Sequence, residues 1–127
     1  MQTLNDIYLA YLDCLNRQDF DDLGTFVDDT VEHNGWPFGL SGYRDMLEND
    51  FTDIPDLRFE AEILVSEATR VAARLSFDCT PRATFMDLPV NGRRFQFCEH
   101  VFYEFEHMKI RRVWSVIDKA AIERQLG

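Results

Sequence analysis

Two carboxylates near the end of the chain are the residues whose types and spacing best suit acid–base chemistry. Residues 93–118 alternate apolar and polar side chains in two runs, which predicts two antiparallel strands joined by a tight turn. We expect Phe105 to lie opposite Ile110, because this register sets apolar residues against apolar ones. Glu99 and Asp118 then become diagonal neighbours on one face, roughly 7–8 Å apart at the backbone. Burial and like charge raise the pKa of at least one carboxylate in such a pair, which suits a general acid or base near neutral pH.

The same register surrounds the two carboxylates with apolar side chains. It pairs Glu104 with Arg111 on the other face of the strands, where it also places His100. It predicts three ligand-binding residues beside the carboxylates: Phe97, Val101 and Trp114.

Each carboxylate also has a structural interpretation. Asp118 precedes a predicted terminal helix and could be only its N-cap, accepting a backbone N–H, although the two roles are compatible. Glu99 could point outward or pair with Arg74 or Arg112. The sequence leaves these alternatives open.

Residues earlier in the chain complete the predicted site. His33 is a third catalytic candidate, although a lone histidine is also commonly structural or solvated. Aromatic and apolar loop residues could close over an apolar ligand or form a dimer contact. The predicted ligand contacts outside the last two strands are Tyr11, Trp36, Phe85 and Met86. The three histidines lack HxH or HxxxH spacing, so we expect no metal site.

The order of the predicted elements indicates an α+β fold. Helices are predicted at residues 4–15, 20–27 and, after a Ser41 cap, to about 52, with a short strand at 31–34. From residue 57 the period changes to two, which predicts strands over 57–65 and 71–79, then the pair within 93–118 and a helix at 119–126. We therefore expect one domain, residues 1–127, in which N-terminal helices pack on the concave face of a curved antiparallel sheet.

Composition and charge exclude several classes of partner. The chain has 127 residues, of which 46% are hydrophobic, and a net charge of −10. This charge argues against nucleic acid and against anionic membrane surfaces. The N-terminus has no basic region typical of a secretory signal, and no apolar run reaches about 18 residues. Three cysteines without CxxC spacing indicate reduced thiols, so we expect a cytoplasmic protein.

Several collinear segments resemble the SnoaL-like polyketide cyclases, within the cone-shaped superfamily of nuclear transport factor two and ketosteroid isomerase. They are LSGYR at residues 40–44, PDLRF at 55–59, VAARL at 71–75, MDLPVNGRR at 86–94, and the end of the chain from KI at 109–110 through WSVID at 114–118 to QLG at 125–127. The resemblance implies a pocket inside the cone, frequent homodimers, no metal or cofactor, and acid–base chemistry by a carboxylate near the end of the last strand. Family members of known activity close polyketide rings by intramolecular aldol chemistry.

Two positions depart from the pattern of this family. The family often has Asp-Gly in the turn before the last strand, where this chain has His107 and Met108. It also often has an acidic residue directly after the tryptophan, where this chain has Ser115. If the family's catalytic carboxylate is the one beside the tryptophan, it is missing here; if it lies four residues beyond, Asp118 retains it. We expect the second alternative.

Two functions remain compatible with these observations. The first is an enzyme that uses Asp118, with Glu99 or His33, to move a proton on a hydrophobic carbonyl compound during cyclisation, isomerisation or a lyase step. The second is a binding or protein-interaction module of the same fold, since a fold does not decide function. A perturbed titration of the two carboxylates would favour the enzyme.

Overall fold

The computed structural model describes residues 2–127 and confirms the α+β class. A 3-10 helix, Phe20–Thr25, follows the first α-helix. The α-helices and strands in chain order are α1 (Leu4–Asn16), β1 (Val27–His33), α2 (Gly39–Asp53), β2 (Glu60–Glu67), β3 (Arg70–Cys79), β4 (Phe95–Glu106), β5 (Lys109–Ile117) and α3 (Lys119–Leu126). None of the described helices is long and apolar enough to cross a membrane.

The five strands form one open sheet in the order β1-β5-β4-β3-β2. Strands β2 to β5 are antiparallel neighbours, as predicted. Strand β1, however, runs parallel to β5, so the sheet is mixed rather than wholly antiparallel. The short N-terminal strand could not be paired from sequence because its partner lies about eighty residues later in the chain.

The register of β4 and β5 differs from the predicted one over most of its length. Phe105 does lie opposite Ile110, but the next pair is Glu104 with Arg112, which leaves Arg111 as an extra residue in β5. Such a β-bulge moves every later side chain of the bulged strand to the other face. The prediction that Glu99, Trp114 and Asp118 share one face is therefore wrong.

The N-terminal elements cover the inner face of the sheet. Helix α1 begins with a reciprocal capping box between Thr3 and Asp6, and it buries Tyr8 and Tyr11 against Tyr103 of β4. The predicted second helix is a single 3-10 segment, with backbone bonds of the i to i+3 kind, and the chain enters β1 directly after it. These helices and the sheet enclose the region in which the predicted site residues are found.

Candidate active site

A cavity of about 200 Å³ lies between the helices and the inner face of the sheet. A second cavity of about 80 Å³ shares Asp50, Phe59, Glu99 and Ile117 with it. We call the two together the interior chamber. Its walls come from α1, α2, the end of β1 and strands β3, β4 and β5, with Phe59 and Phe85 from connecting segments. The chamber thus lies where the inward-facing residues of the sheet meet the helices.

Glu99 of β4 is the most perturbed carboxylate of the interior chamber. Burial raises its pKa from 4.5 to about 7, and the negative charge of Asp50 adds to this effect. A hydrogen bond with Ser115 acts in the opposite direction, because it favours the ionised form. A carboxyl group with a pKa of about 7 can both accept and donate a proton near neutral pH.

Asp50 of α2 is the second carboxylate of the interior chamber, and it lines both cavities. Burial raises its pKa from 3.8 to about 6, with a further contribution from the charge of Asp53. Because Asp50 has the lower pKa, it ionises first as the pH rises and then opposes ionisation of Glu99.

Ser115 of β5 lines the larger cavity together with Glu99 and His33. Its Oγ lies 3.1 Å from His33 Nε2, and its hydroxyl is close enough to Glu99 to lower the pKa of that carboxyl. A hydroxyl has one proton to donate. When Ser115 donates to ionised Glu99, it can accept from the N–H of His33; when Glu99 is protonated, both bonds can reverse. Burial lowers the pKa of His33 and so favours the neutral ring that this exchange requires.

The position of Ser115 is set by the end of β1. Asn34 Oδ1 accepts the backbone N–H of Ser115 at 2.8 Å, and Asn34 Nδ2 donates to its carbonyl at 3.3 Å. The ring of His33 stacks on Phe38, with centroids 5.8 Å apart. The parallel pairing of β1 with β5 therefore brings His33 beside Ser115, although 81 residues separate Asn34 from Ser115.

Two pairs of tyrosine hydroxyls lie between the helices and the sheet. Tyr11 and Tyr43 are joined by a hydrogen bond of 2.7 Å, and Tyr8 donates to Tyr103 at 3.1 Å. Burial raises the pKa of all four, so they stay neutral and able to donate. In the Tyr11–Tyr43 pair, the hydroxyl that accepts keeps its own proton free for a third partner. Both of these residues line the larger cavity.

The comparisons with known proteins agree with this architecture. A family model described as SnoaL-like polyketide cyclase matches residues 5–126. The chain belongs to this family. A SnoaL-like polyketide cyclase from Agrobacterium tumefaciens, known from a crystal structure, is 83% identical in sequence to this chain over 100% of both chains, and the two structures have a TM-score of 0.99. No match to a curated protein was found.

More distantly related solved structures are similar to this chain in fold. IdmH from Streptomyces antibioticus, named as a candidate polyketide cyclase, is 19% identical over 99% of both chains, with a TM-score of 0.84. TsrD from Streptomyces laurentii is 23% identical over 97% of this chain and 93% of its own, with a TM-score of 0.82. The fold therefore persists at low sequence identity, and the chemistry of this SnoaL-like chain depends on its own side chains.

Six of the predicted site residues do meet in the interior chamber. Glu99, His33, Tyr11 and Val101 line the larger cavity, while Phe97 and Phe85 line the smaller one. The alternative partners suggested for Glu99 are engaged elsewhere: Arg74 with Glu62, and Arg112 with Glu32 and Glu106.

Four predicted site residues lie outside the interior chamber: Asp118, Trp114, Trp36 and Met86. The bulge at Arg111 turns Trp114 to the outer face, where it pairs with Phe102 and is 42% exposed. Trp36, in the loop after β1, is 68% exposed. Met86 packs against the core from its loop without lining either cavity.

Asp118 serves as the N-cap of α3, the structural role that the sequence left open. Its Oδ1 accepts the backbone N–H of Ala121 at 3.2 Å, and its own N–H donates to Cys98 at 2.9 Å. Its side chain borders an open groove of about 420 Å³ outside the interior chamber. Asp118 and Glu99 therefore line different cavities.

Four polar residues of the chamber were not predicted from the sequence as site residues: Asp50, Ser115, Tyr43 and Tyr103. The inward position of Asp50 could have been predicted, because it lies four residues after Met46 and three after Leu47, on the apolar side of α2. The bulge could also have been predicted from the sequence. Ile110 and Val113 are both apolar but three residues apart, and a regular strand cannot bury two residues at this spacing on one face. No local signal indicated the contact of Ser115 with His33.

Proposed function

We propose that this SnoaL-like protein is an acid–base enzyme in which Glu99 moves a proton at a carbon beside a carbonyl group. The observation that carries the proposal is the pKa of Glu99, raised to about 7 inside a cavity with hydroxyl donors. Such a group supports cyclisation by aldol chemistry, or a related isomerase or lyase step, on a small hydrophobic molecule. The reaction needs side chains alone.

The proton transfers balance within the interior chamber. Ionised Glu99 takes the proton from the carbon, and the electron pair of the broken C–H bond becomes an enolate. The free hydroxyl proton of the Tyr11–Tyr43 pair stabilises the negative charge on the oxygen. In a cyclisation the enolate carbon then attacks a second carbonyl, a C–C bond forms, and the new alkoxide takes the proton back from Glu99.

Ser115 and His33 can take the proton of Glu99 to the outside. The series Glu99, Ser115, His33 leads from the carboxyl group to a half-buried imidazole at the end of β1. In an isomerase or lyase step, where the substrate proton is not returned to the same atom, this series gives the proton a path out.

The position of Ser115 also bears on the family pattern. Members of the family often have an acidic residue directly after the tryptophan, the position of Ser115 here. Ser115 and Glu99 come from adjacent strands and line the same cavity. We therefore assign to Glu99 of β4 the role that the resemblance gives to a carboxylate of β5, and we withdraw that role from Asp118.

The experiment that tests this assignment measures exchange of carbon-bound protons. In D₂O, the protein should incorporate deuterium beside the carbonyl of 4-phenyl-2-butanone, observed by proton NMR, with a rate that rises as the pH passes through about 7. Glu99→Gln should lose at least about 100-fold of the rate. Asp118→Asn, which keeps the cap, is the matched control and should retain it. Equal rates in wild type and Glu99→Gln would reject the assignment, and binding without exchange would favour a binding module.

We also propose that the outer face of the sheet joins two copies of the chain. This face exposes five large apolar side chains: Ile63, Val65, Phe102, Trp114 and Val116. Two ion pairs on this face are formed within the chain, Arg70 with Glu104 and Arg74 with Glu62. Two copies of a chain whose net charge is −10 repel each other. Ion pairs within each chain reduce this repulsion where the two faces meet.

A further inference from the structure

The interior chamber is lined by two carboxylates, Glu99 and Asp50. Among the residues that the structure describes, neither cavity is lined by a lysine or an arginine. One basic group, His33, is found in the described part of its walls, and burial lowers the pKa of this histidine, so that the ring is neutral at pH 7 and above. The other titratable groups that face Glu99 are tyrosines, which stay neutral. Every charge that the chamber walls carry above pH 7 is thus negative.

The negative charge of the chamber walls disfavours the binding of an anion. A negative group placed near ionised Glu99 and Asp50 is repelled at short range in a partly dry cavity, where screening by solvent is weak. The described residues of the chamber walls include no arginine or lysine that could form the paired hydrogen bonds by which carboxylates and phosphates are normally bound. A neutral carbonyl oxygen meets no such barrier and can accept from the tyrosine hydroxyls.

The volume of the chamber limits the ligand as well. The two cavities measure about 200 Å³ and about 80 Å³. Pockets for drug-sized ligands measure about 300–1,000 Å³. The chamber therefore fits a molecule of one or two rings better than a fused system of three or more.

We infer that the interior chamber selects compact, uncharged carbonyl compounds and rejects anions. The carbonyl part of this inference rests on the proposed function; the selection by charge and size rests on the walls of the chamber. It means that the substrate reaches Glu99 as an ester, ketone or aldehyde that carries no free carboxylate or phosphate. The reaction that supplies it must therefore leave any acid group masked.

Binding of three probes with one skeleton tests the charge selection. 4-Phenyl-2-butanone is neutral, 3-phenylpropanoate replaces its methyl group by an anionic oxygen, and 4-phenylbutan-2-amine carries a positive charge. At pH 8, ligand-observed NMR should show the ketone binding at least ten-fold more tightly than the carboxylate. The ammonium should bind at least as tightly as the ketone. This result would show that the carboxylate is rejected because of its negative charge and not because of its shape.

The pH dependence and two variants locate the effect. At pH 5.5, below the raised pKa values of about 6 for Asp50 and about 7 for Glu99, the preference for ketone over carboxylate should fall at least three-fold. The double variant Asp50→Asn, Glu99→Gln should show the reduced preference at both pH values. Glu123→Gln removes one exposed negative charge outside the chamber and should leave the preference unchanged.

Three results would overturn the inference: equal affinities of ketone and carboxylate at pH 8, a preference that survives in the double variant, or no binding of the ketone. Binding of the three-ring ketone 2-acetylanthracene as tightly as 4-phenyl-2-butanone would reject the size limit. Because binding is measured without turnover, selective binding with no deuterium exchange would reject the proposed function and leave this inference standing. Exchange together with equal binding of ketone and carboxylate would do the reverse.

Discussion

Ser115 Oγ lies 3.1 Å from His33 Nε2, and the same hydroxyl lowers the pKa of the Glu99 carboxyl in the larger cavity. This relationship depends on two features of the sheet. The parallel pairing of β1 with β5 brings the histidine to Ser115, and the bulge at Arg111 turns Ser115 inward. The arrangement of His33, Ser115 and Glu99 thus follows from the parallel pairing and the bulge of the sheet.

Substitutions at Ser115 and Asp50 should move the pKa of Glu99 in opposite directions. Ser115→Ala removes a hydrogen bond that favours the ionised form, so the pKa should rise above about 7. Asp50→Asn removes a nearby negative charge, so the pKa should fall below that value. The measurement is a titration of the Glu99 side-chain carbon by NMR. Ser115→Thr keeps the hydroxyl and is the control. A shift of the same sign in both variants would contradict this account of Glu99.

Glu99→Gln should make the protein more stable at alkaline pH. The pKa of Glu99 is higher in the folded state, about 7, than its ordinary value of 4.5, so the folded protein binds more protons between these values. Stability from this group is therefore full below about pH 4.5 and is lost as the pH rises through about 7. The loss amounts to about 3 kcal/mol.

Urea unfolding at pH 5 and pH 8 measures this effect. The gain from Glu99→Gln should be larger at pH 8 than at pH 5, and part of the pH dependence should remain because the pKa of Asp50 is raised as well. Glu123→Gln, at an exposed position, should change stability little at either pH. A Glu99→Gln variant that is less stable than wild type at pH 8 would mean that its charge is better solvated than the structure indicates.

Most elements of the fold were predictable because they have a strong local pattern. Helix α1 shows its capping box and apolar spacing directly in the sequence, and strand β3 alternates buried and exposed residues along its length. The site was harder, because Asp50, His33 and Ser115 converge on Glu99 from three different elements. Because Arg111 is an extra residue in β5, the predicted register put Asp118 and Trp114 on the wrong face of the sheet. Register is a property of strand pairs, and periodicity within one strand cannot determine it.

Asp118→Ala should weaken the protein without removing its acid–base chemistry. Asp118 caps α3 through the N–H of Ala121, and replacing an N-cap by alanine costs about 1 kcal/mol. Asp118→Asn keeps an acceptor and should cost less. Thermal unfolding gives the stability, and deuterium exchange of 4-phenyl-2-butanone gives the activity. Because Asp118 lies outside the interior chamber, both variants should retain exchange, and its loss in both would restore Asp118 as a catalytic candidate.

Val116→Glu should separate the proposed pair of chains. Val116 is 69% exposed at the outer face of β5, so a charged side chain there fits the folded monomer without entering the core. In a pair that meets at this face, the new carboxylates would be buried near apolar groups of the other copy, which is costly without a partner. Sedimentation equilibrium should therefore show a dimer for wild type and a monomer for Val116→Glu. Leu9→Glu, at an exposed position of α1, is the matched control and should stay dimeric. A wild-type monomer at micromolar concentration, or a Val116→Glu dimer as tight as wild type, would show that this face does not join two copies.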